Sequence, residues 1–93
     1  MQKAGDIMAI LVSKATEEQK RSMAKCQIWA STEKEFDWFY DEKEVCLILE
    51  GEAVINGDGE DIRIVPGDYV VFPKGLNCTW KVLSPVKKYF YFA

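Results

Sequence analysis

Apolar residues recur along this chain in short runs, separated by polar residues and turn formers. The segment "EFDWFYD" alternates, which places Phe36, Trp38 and Tyr40 on one face of a predicted strand. The run "EVCLILEGEAVIN" follows, and we predict a bend or bulge at its Gly51. The sequence "NGDGE" at 56–60 predicts a hairpin turn, because Asn and Gly tolerate positive φ angles.

Six further runs predict strands: "IMAILV", "CQIWA", "DIRIV", "YVVF", "CTWKVL" and "VKKYFYF". We predict that "IMAILV" (residues 7–12) is packed on both faces, because it contains no polar position. Proline marks the turns at Pro66 and Pro73 and separates the last two runs at Pro85. Many short strands with Gly- and Pro-containing turns are typical of an all-β sandwich or barrel.

One short helix is predicted before these strands. Thr16 with Gln19 three residues later forms a capping-box pattern, so the helix runs from about Glu17 to Met23. A chain of 93 residues without repeats predicts a single domain, residues 1–93.

The net charge and the length of the apolar runs argue against nucleic-acid and membrane partners. A net charge of −3 does not suit nucleic-acid binding, and the basic pair Lys87–Lys88 is predicted to be a solvated strand end. Residues 7–12 are too short to span a bilayer and lack the features of a secretory signal. We therefore expect no nucleic-acid or membrane partner and a cytoplasmic location.

The cysteine and histidine content limits the catalytic mechanisms that this chain could use. Cys26, Cys46 and Cys78 have no paired spacing and predict free thiols, with Cys46 in the core and Cys26 packing near the barrel entrance. The chain has no histidine, which excludes serine–histidine and cysteine–histidine catalysis. A mechanism here would have to use Glu, Asp, Cys, Tyr or Lys.

The first of two spacings resembles a motif of the cupin superfamily. Six residues separate Glu44 from Gly51, as in the first cupin motif. The two histidines of that motif would fall near Trp38 and Tyr40, and its leading glycine has no counterpart.

The second spacing resembles the second cupin motif. Gly67, Pro73 and Gly75 stand at the expected intervals. Cys78 occupies the position of that motif's histidine, and Val82 replaces its final asparagine.

The chain therefore resembles small single-domain cupins, most of all the DUF861-like group of the ureidoglycine aminohydrolase cupin domain and the ethanolamine-utilisation type. The resemblance covers Trp29 to the C terminus. It implies an all-β, cupin-type double-stranded β-helix (jelly-roll) barrel with one short N-terminal helix. It also implies an aromatic interior holding one carboxylate and one thiol, and its residues would be Trp38, Tyr40, Glu44, Cys78 and Trp80.

Three functions are open at this point. The pocket could bind a small polar metabolite and use Glu44 with Cys78 or Tyr40 for metal-independent acid–base catalysis, with Trp38 and Trp80 contacting the ligand. The alternative is a non-catalytic module that binds or senses a metabolite. In the third, side chains fill the barrel, Cys78 is inert core and the aromatic residues only pack.

We expect no cofactor. Cupin metal sites rely on imidazoles, whereas Glu44, Cys78 and Tyr40 would supply three ligands at most, so manganese-assisted ureidoglycine hydrolysis is not expected here. The expected partners are a small-molecule ligand and a second copy, because edge strands in so short a chain need covering and "IMAILV" is the candidate contact.

Overall fold

The computed structural model describes residues 8–57 and 59–93, which form seven strands and one short helix. In chain order they are β1 (Leu11–Lys14), α1 (Glu17–Met23), β2 (Gln27–Ser31), β3 (Glu35–Phe39), β4 (Glu44–Gly57), β5 (Glu60–Ile64), β6 (Asp68–Phe72) and β7 (Asn77–Phe92). The all-β fold with one short helix is confirmed. No helix in the part of the chain described is long and apolar enough to cross a membrane.

The two long strands β4 and β7 form the spine of the barrel. They pair antiparallel from Glu44↔Phe92 to Gly57↔Cys78. The N-terminal half of β4 also pairs with β6, and its C-terminal half pairs with β5. The halves of β7 pair in the same way with β3 and then with β2, and β1 extends the sheet beyond β6. The first half of β4 and the second half of β7 therefore form one wall of the barrel, with β6, β1 and β2. The remaining halves form the other wall, with β5 and β3.

One buried core lies between these walls. Even-numbered residues of β7 point into it, among them Trp80, Val82 and Val86. From β4 it receives Cys46 and Ile48 before the bend and Ile55 after it. Because the core takes side chains from both halves of the spine, the two walls enclose a single interior.

The bend in the spine lies where the sequence predicts it. The β4–β7 register shifts between Ile48 and Ala53, and Gly51 has a φ of 83°. A β-carbon at Gly51 would collide with the carbonyl oxygen of Pro85 on β7. Glycine is therefore needed for the close approach of the two backbones as well as for the positive φ.

The two last predicted strands are a single strand, which corrects the division at Pro85. Glu52 pairs with Ser84 and Glu50 pairs with Lys87, and the register shifts between these two pairs, so Pro85 lies in an irregular stretch of the ladder. A proline that faces a bulge removes no ladder hydrogen bond, and β7 can therefore continue through it.

The helix begins as predicted, with a capping box. The Gln19 backbone N–H donates to the Thr16 hydroxyl at 3.1 Å, and the Gln19 side chain accepts from the Thr16 backbone N–H at 3.0 Å. Met23 then packs with Val45 and Leu47 on the outer face of β4. The first half of β4 is thus buried on both faces, which explains its unbroken apolar run.

The hairpin predicted at 56–60 joins β4 to β5. Gly57 pairs with Glu60, and Gly59 has a φ of 81°. The Asn56 side chain donates to the Asp61 carboxylate at 2.7 Å across the two strands. The predicted hairpin is confirmed.

The N-terminal strand differs from its prediction. Ile7, the first residue of "IMAILV", lies outside the described residues, and the described strand starts at Leu11. Leu11 is 60% exposed and Val12 is 38% exposed, because within the described residues β1 is the edge of the sheet and has β6 as its one neighbour. The burial predicted for both faces is therefore wrong, and dimerisation through this edge stays a prediction.

We predict that Gly51→Ala destabilises the fold strongly. The left-handed φ alone costs about 1–2 kcal/mol, and the collision with Pro85 adds to it, so the total should exceed about 2 kcal/mol. Urea unfolding provides the measurement. Gly67→Ala is the matched control, since Gly67 has a φ of 93° but no atom within 4 Å of its added β-carbon. Equal losses in the two variants would contradict the role given to the Pro85 contact.

Candidate functional site

An open cavity of about 400 Å³ enters the barrel between the β2–β3 side and the end of β7. Its rim carries the half-exposed rings of Trp38 and Phe92, and its floor is buried. Apolar surface dominates the lining, which is the usual composition of small-molecule pockets. The lining residues are Trp29, Glu33, Phe36, Trp38, Tyr40, Glu44, Trp80, Lys88, Phe90 and Phe92.

A buried ion pair forms the polar part of the floor. The Glu44 Oε2 atom lies 2.8 Å from the Lys88 Nζ atom, and these side chains are 4% and 6% exposed. Glu44 starts β4 between Phe72 of β6 and Phe92 of β7, so strands cover it on both sides. Because isolated charges are costly to bury, each of these groups depends on the other.

Aromatic rings surround the ammonium group. The Lys88 Nζ atom lies 4.7 Å from the ring centroid of Trp80, 4.8 Å from that of Trp29 and 5.9 Å from that of Phe72. These distances place the cation over ring faces, where the ring quadrupole attracts it. The rings also pack against neighbouring aromatic residues, since Trp80 stacks on Phe36 with centroids 5.8 Å apart.

The Tyr40 phenol completes the floor beside the carboxylate. Its ring stacks on Phe72 with centroids 4.7 Å apart and packs edge-to-face against Trp38 with centroids 6.4 Å apart. Burial, followed by the negative charge of Glu44 and hydrogen bonding with it, raises the pKa of Tyr40 well above its ordinary value. Tyr40 is therefore a neutral phenol at physiological pH.

One oxygen of the ion pair has no partner. Glu44 Oε1 is buried and accepts no hydrogen bond of ordinary geometry from the described residues, although the Tyr40 hydroxyl is close enough to interact with the carboxylate. A buried carboxylate oxygen without a donor is costly. Glu44 lines the cavity, but Oε1 exposes almost no surface to it, so a donor from a ligand would reach this oxygen only after the Glu44 or Tyr40 side chain shifts.

Four of the five predicted site residues meet at this cavity. Glu44, Tyr40 and Trp80 form its floor, and Trp38 lies at its rim. Cys78 does not line it, which departs from the predicted arrangement. Cys78 pairs with Trp38 and Gly57, so it lies in the core nearer the other end of β4 and borders a shallower depression beside Asp37.

Neither buried cysteine is an activated thiol. Burial, together with the nearby charge of Glu44, raises the pKa of Cys78 to about 11. Burial likewise raises the pKa of Cys46 to about 12, and Cys46 lies in the core as predicted. Cys26 is half-buried and packs against the outer cluster around Met23. All three thiols are free.

Lys88 is the functional residue that the sequence analysis missed. It was expected at a solvated strand end, but it is 5% exposed and only its neighbour Lys87 reaches the surface. Residue parity carries the signal: Val86, Lys88 and Phe90 share one face of β7, and two of the three are apolar. A single lysine on an inward apolar face indicates a buried cation with a carboxylate partner.

The donor set does not fit the transition metal that cupin barrels commonly hold. In residues 8–57 and 59–93 no three His, Cys, Asp or Glu side chains are placed to share a metal ion. The Glu44 carboxylate is engaged by the Lys88 ammonium, which would also repel a divalent cation beside it.

We predict that Lys88→Met destabilises the protein by about 3–5 kcal/mol, because it leaves the Glu44 charge buried and unpaired. The double variant E44L/K88M should recover most of this loss, since both charges are then replaced by apolar groups of similar size. Urea unfolding of the three proteins measures both effects. A double variant no more stable than Lys88→Met would show that the pair is not the source of the cost.

We predict that Cys78 reacts slowly with iodoacetamide. A pKa raised from 9.0 to about 11 leaves roughly a hundredfold less thiolate at neutral pH than an ordinary thiol has. Peptide mass spectrometry after timed labelling should find Cys26 modified before Cys78. Rapid modification of Cys78 in the folded protein would restore it as a candidate nucleophile.

Comparison with known proteins agrees with this architecture. Residues 18–90 match the family described as the EutQ-like cupin domain. A DUF861 family protein from Thermotoga maritima is 42% identical, with a TM-score of 0.86 over 91% of this chain and 100% of that chain. A search of curated proteins found no significant match.

More distant structures share the fold. The EutQ protein of Clostridium difficile is 18% identical, with a TM-score of 0.66 over 99% of this chain and 73% of that chain. A putative ethanolamine utilization protein Q from Salmonella typhimurium is 22% identical, with a TM-score of 0.61 over 89% and 68% of the two chains. The jelly-roll barrel, the family match and the 42% identical relative together show that this chain belongs to the EutQ-like cupin domain family.

Proposed function

We propose that this cupin binds a small organic molecule in the cavity above the Glu44–Lys88 pair. The observation that carries the proposal is a largely apolar cavity of about 400 Å³ whose floor contains the buried Glu44–Lys88 ion pair. A ligand that donates a hydrogen bond to the Glu44 carboxylate would reduce the cost of burying it. The side chains of residues 8–57 and 59–93 leave this space unfilled, which argues against a completely filled barrel.

The lining indicates the shape and polarity of the ligand. Trp38, Phe36 and Phe92 offer ring faces and edges, which favour a flat apolar body. The Glu44–Lys88 pair is neutral as a unit, so a neutral donor such as a hydroxyl or an amide N–H matches the floor without adding buried charge. The proposed ligand is therefore a compact molecule with one polar end and one flat apolar end.

Acid–base catalysis by Glu44 with Tyr40 is the second candidate function. The closeness of the neutral Tyr40 phenol to the Glu44 carboxylate favours it, because one group can donate a proton and the other can accept one. Cys78 is not part of this version, since it does not line the cavity and burial raises the pKa of its thiol to about 11. Turnover of a bound ligand would distinguish this function from binding alone.

We predict that benzyl alcohol stabilises the protein more than ethylbenzene, which has the same shape without the hydroxyl. A bound ligand raises the melting temperature by mass action, by an amount that grows with the logarithm of its concentration relative to its Kd. The difference should vanish in E44L/K88M, which has no carboxylate to accept the hydrogen bond. Differential scanning fluorimetry across a concentration series makes the comparison.

Trp38→Ala serves as the control for location. Trp38 is 50% exposed at the rim, so its truncation should leave the fold intact while weakening the binding of both probes. Absence of any ligand-dependent shift in the wild-type protein, or equal shifts in the wild type and Trp38→Ala, would overturn the proposed site.

A further inference from the structure

We propose that the Lys88 amine forms a reversible imine with small aldehydes that enter the cavity. This inference rests on the proposed binding function, because the aldehyde must occupy the same space. Lys88 lines the cavity, its side chain is 6% exposed, and its Nζ atom lies 2.8 Å from the Glu44 carboxylate. A buried lysine beside an acid–base group is the arrangement that imine-forming lysines require.

Glu44 can release the amine from its charged form. Oε2 lies 2.8 Å from Nζ, within range for direct proton transfer from ammonium to carboxylate. The transfer converts a buried ion pair into a neutral pair, so the net charge of the cavity floor does not change. The amine then has a free electron pair without any proton passing to bulk water.

The reaction balances with these groups alone. The Nζ electron pair attacks the aldehyde carbon, and the carbonyl oxygen takes up a proton while the nitrogen loses one, giving a neutral carbinolamine. The new hydroxyl forms beside the Glu44 carboxylic acid, because its carbon is bonded to Nζ and the Nζ atom lies 2.8 Å from Oε2. The Glu44 carboxylic acid then protonates that hydroxyl, which leaves as water, and an iminium beside a carboxylate remains. The start and the end of the sequence thus both contain one cation paired with one anion.

The surroundings favour this product at Lys88 over the surface lysines. Trp29 and Trp80 flank the nitrogen at 4.8 and 4.7 Å, and their faces attract the iminium cation as they attract the ammonium. The same rings limit the access of water, which would otherwise hydrolyse the imine. The neighbouring Lys87 is partly exposed, and its Nζ atom lies 3.9 Å from Glu50 Oε2 at the surface. It therefore lacks both the flanking tryptophan rings and the shielding from water.

Reductive trapping tests the inference on the intact protein. Wild-type protein is incubated with benzaldehyde and sodium cyanoborohydride at neutral pH, and the modified lysines are mapped by peptide mass spectrometry. We expect one predominant benzyl adduct, at Lys88. Glu44→Gln should slow its formation roughly a hundredfold, the usual contribution of a general acid–base group. Lys87→Arg is the matched control and should not change the rate, whereas Lys88→Arg should abolish the predominant adduct.

Binding of benzyl alcohol, measured on the same protein, separates the two proposals. Stabilisation by the alcohol without an adduct at Lys88 would overturn the imine and leave the binding cavity standing. Labelling spread evenly over surface lysines, with no stabilisation by the alcohol, would overturn both. An adduct at Lys88 that forms equally fast in Glu44→Gln would also contradict the role given to the carboxylate.

Discussion

The buried ion pair between Glu44 and Lys88 is the interaction on which the interior of this barrel depends. Removing two charges from water costs several kcal/mol for each ion, and close contact with ordered surroundings is needed to offset that cost. The contact is 2.8 Å between Oε2 and Nζ, and three aromatic rings enclose the ammonium. This pair determines the polarity of the cavity floor and supplies charged groups that could take part in acid–base reactions there.

The long β4–β7 pairing brings the two charged groups together. Lys88 pairs with Ile48, and Glu44 lies four residues earlier on the same inward face of β4. The bend at Gly51 then turns the second half of the spine so that Trp80 reaches the ammonium from the other wall. A change in register of one residue would turn Lys88 to the surface and leave Glu44 buried alone.

This interior differs from a metal-binding cupin interior in the kind of positive charge it holds. The carboxylate of the first cupin motif is present as Glu44, but its partner is an organic cation on a flexible stem. An ammonium is compact and carries transferable protons, and its nitrogen becomes a nucleophile when it loses one. The Glu44 carboxylate and the neutral Tyr40 phenol add an acceptor and a donor beside it.

The sequence by itself determined the elements and the fold class, because these depend on local patterns. The capping box at Thr16, the hairpin at 56–60 and the bend at Gly51 are all in place, and Glu44 and Trp80, which the cupin resemblance placed in the interior, are buried. Only the tertiary structure decided which inward residues meet. Cys78 and Lys88 both point inward on β7, but pairing with β4 places Lys88 beside Glu44 and Cys78 beside Gly57, near the other end of that strand. Strand register is a long-range property, so the local pattern that predicts each strand cannot state which side chains become neighbours.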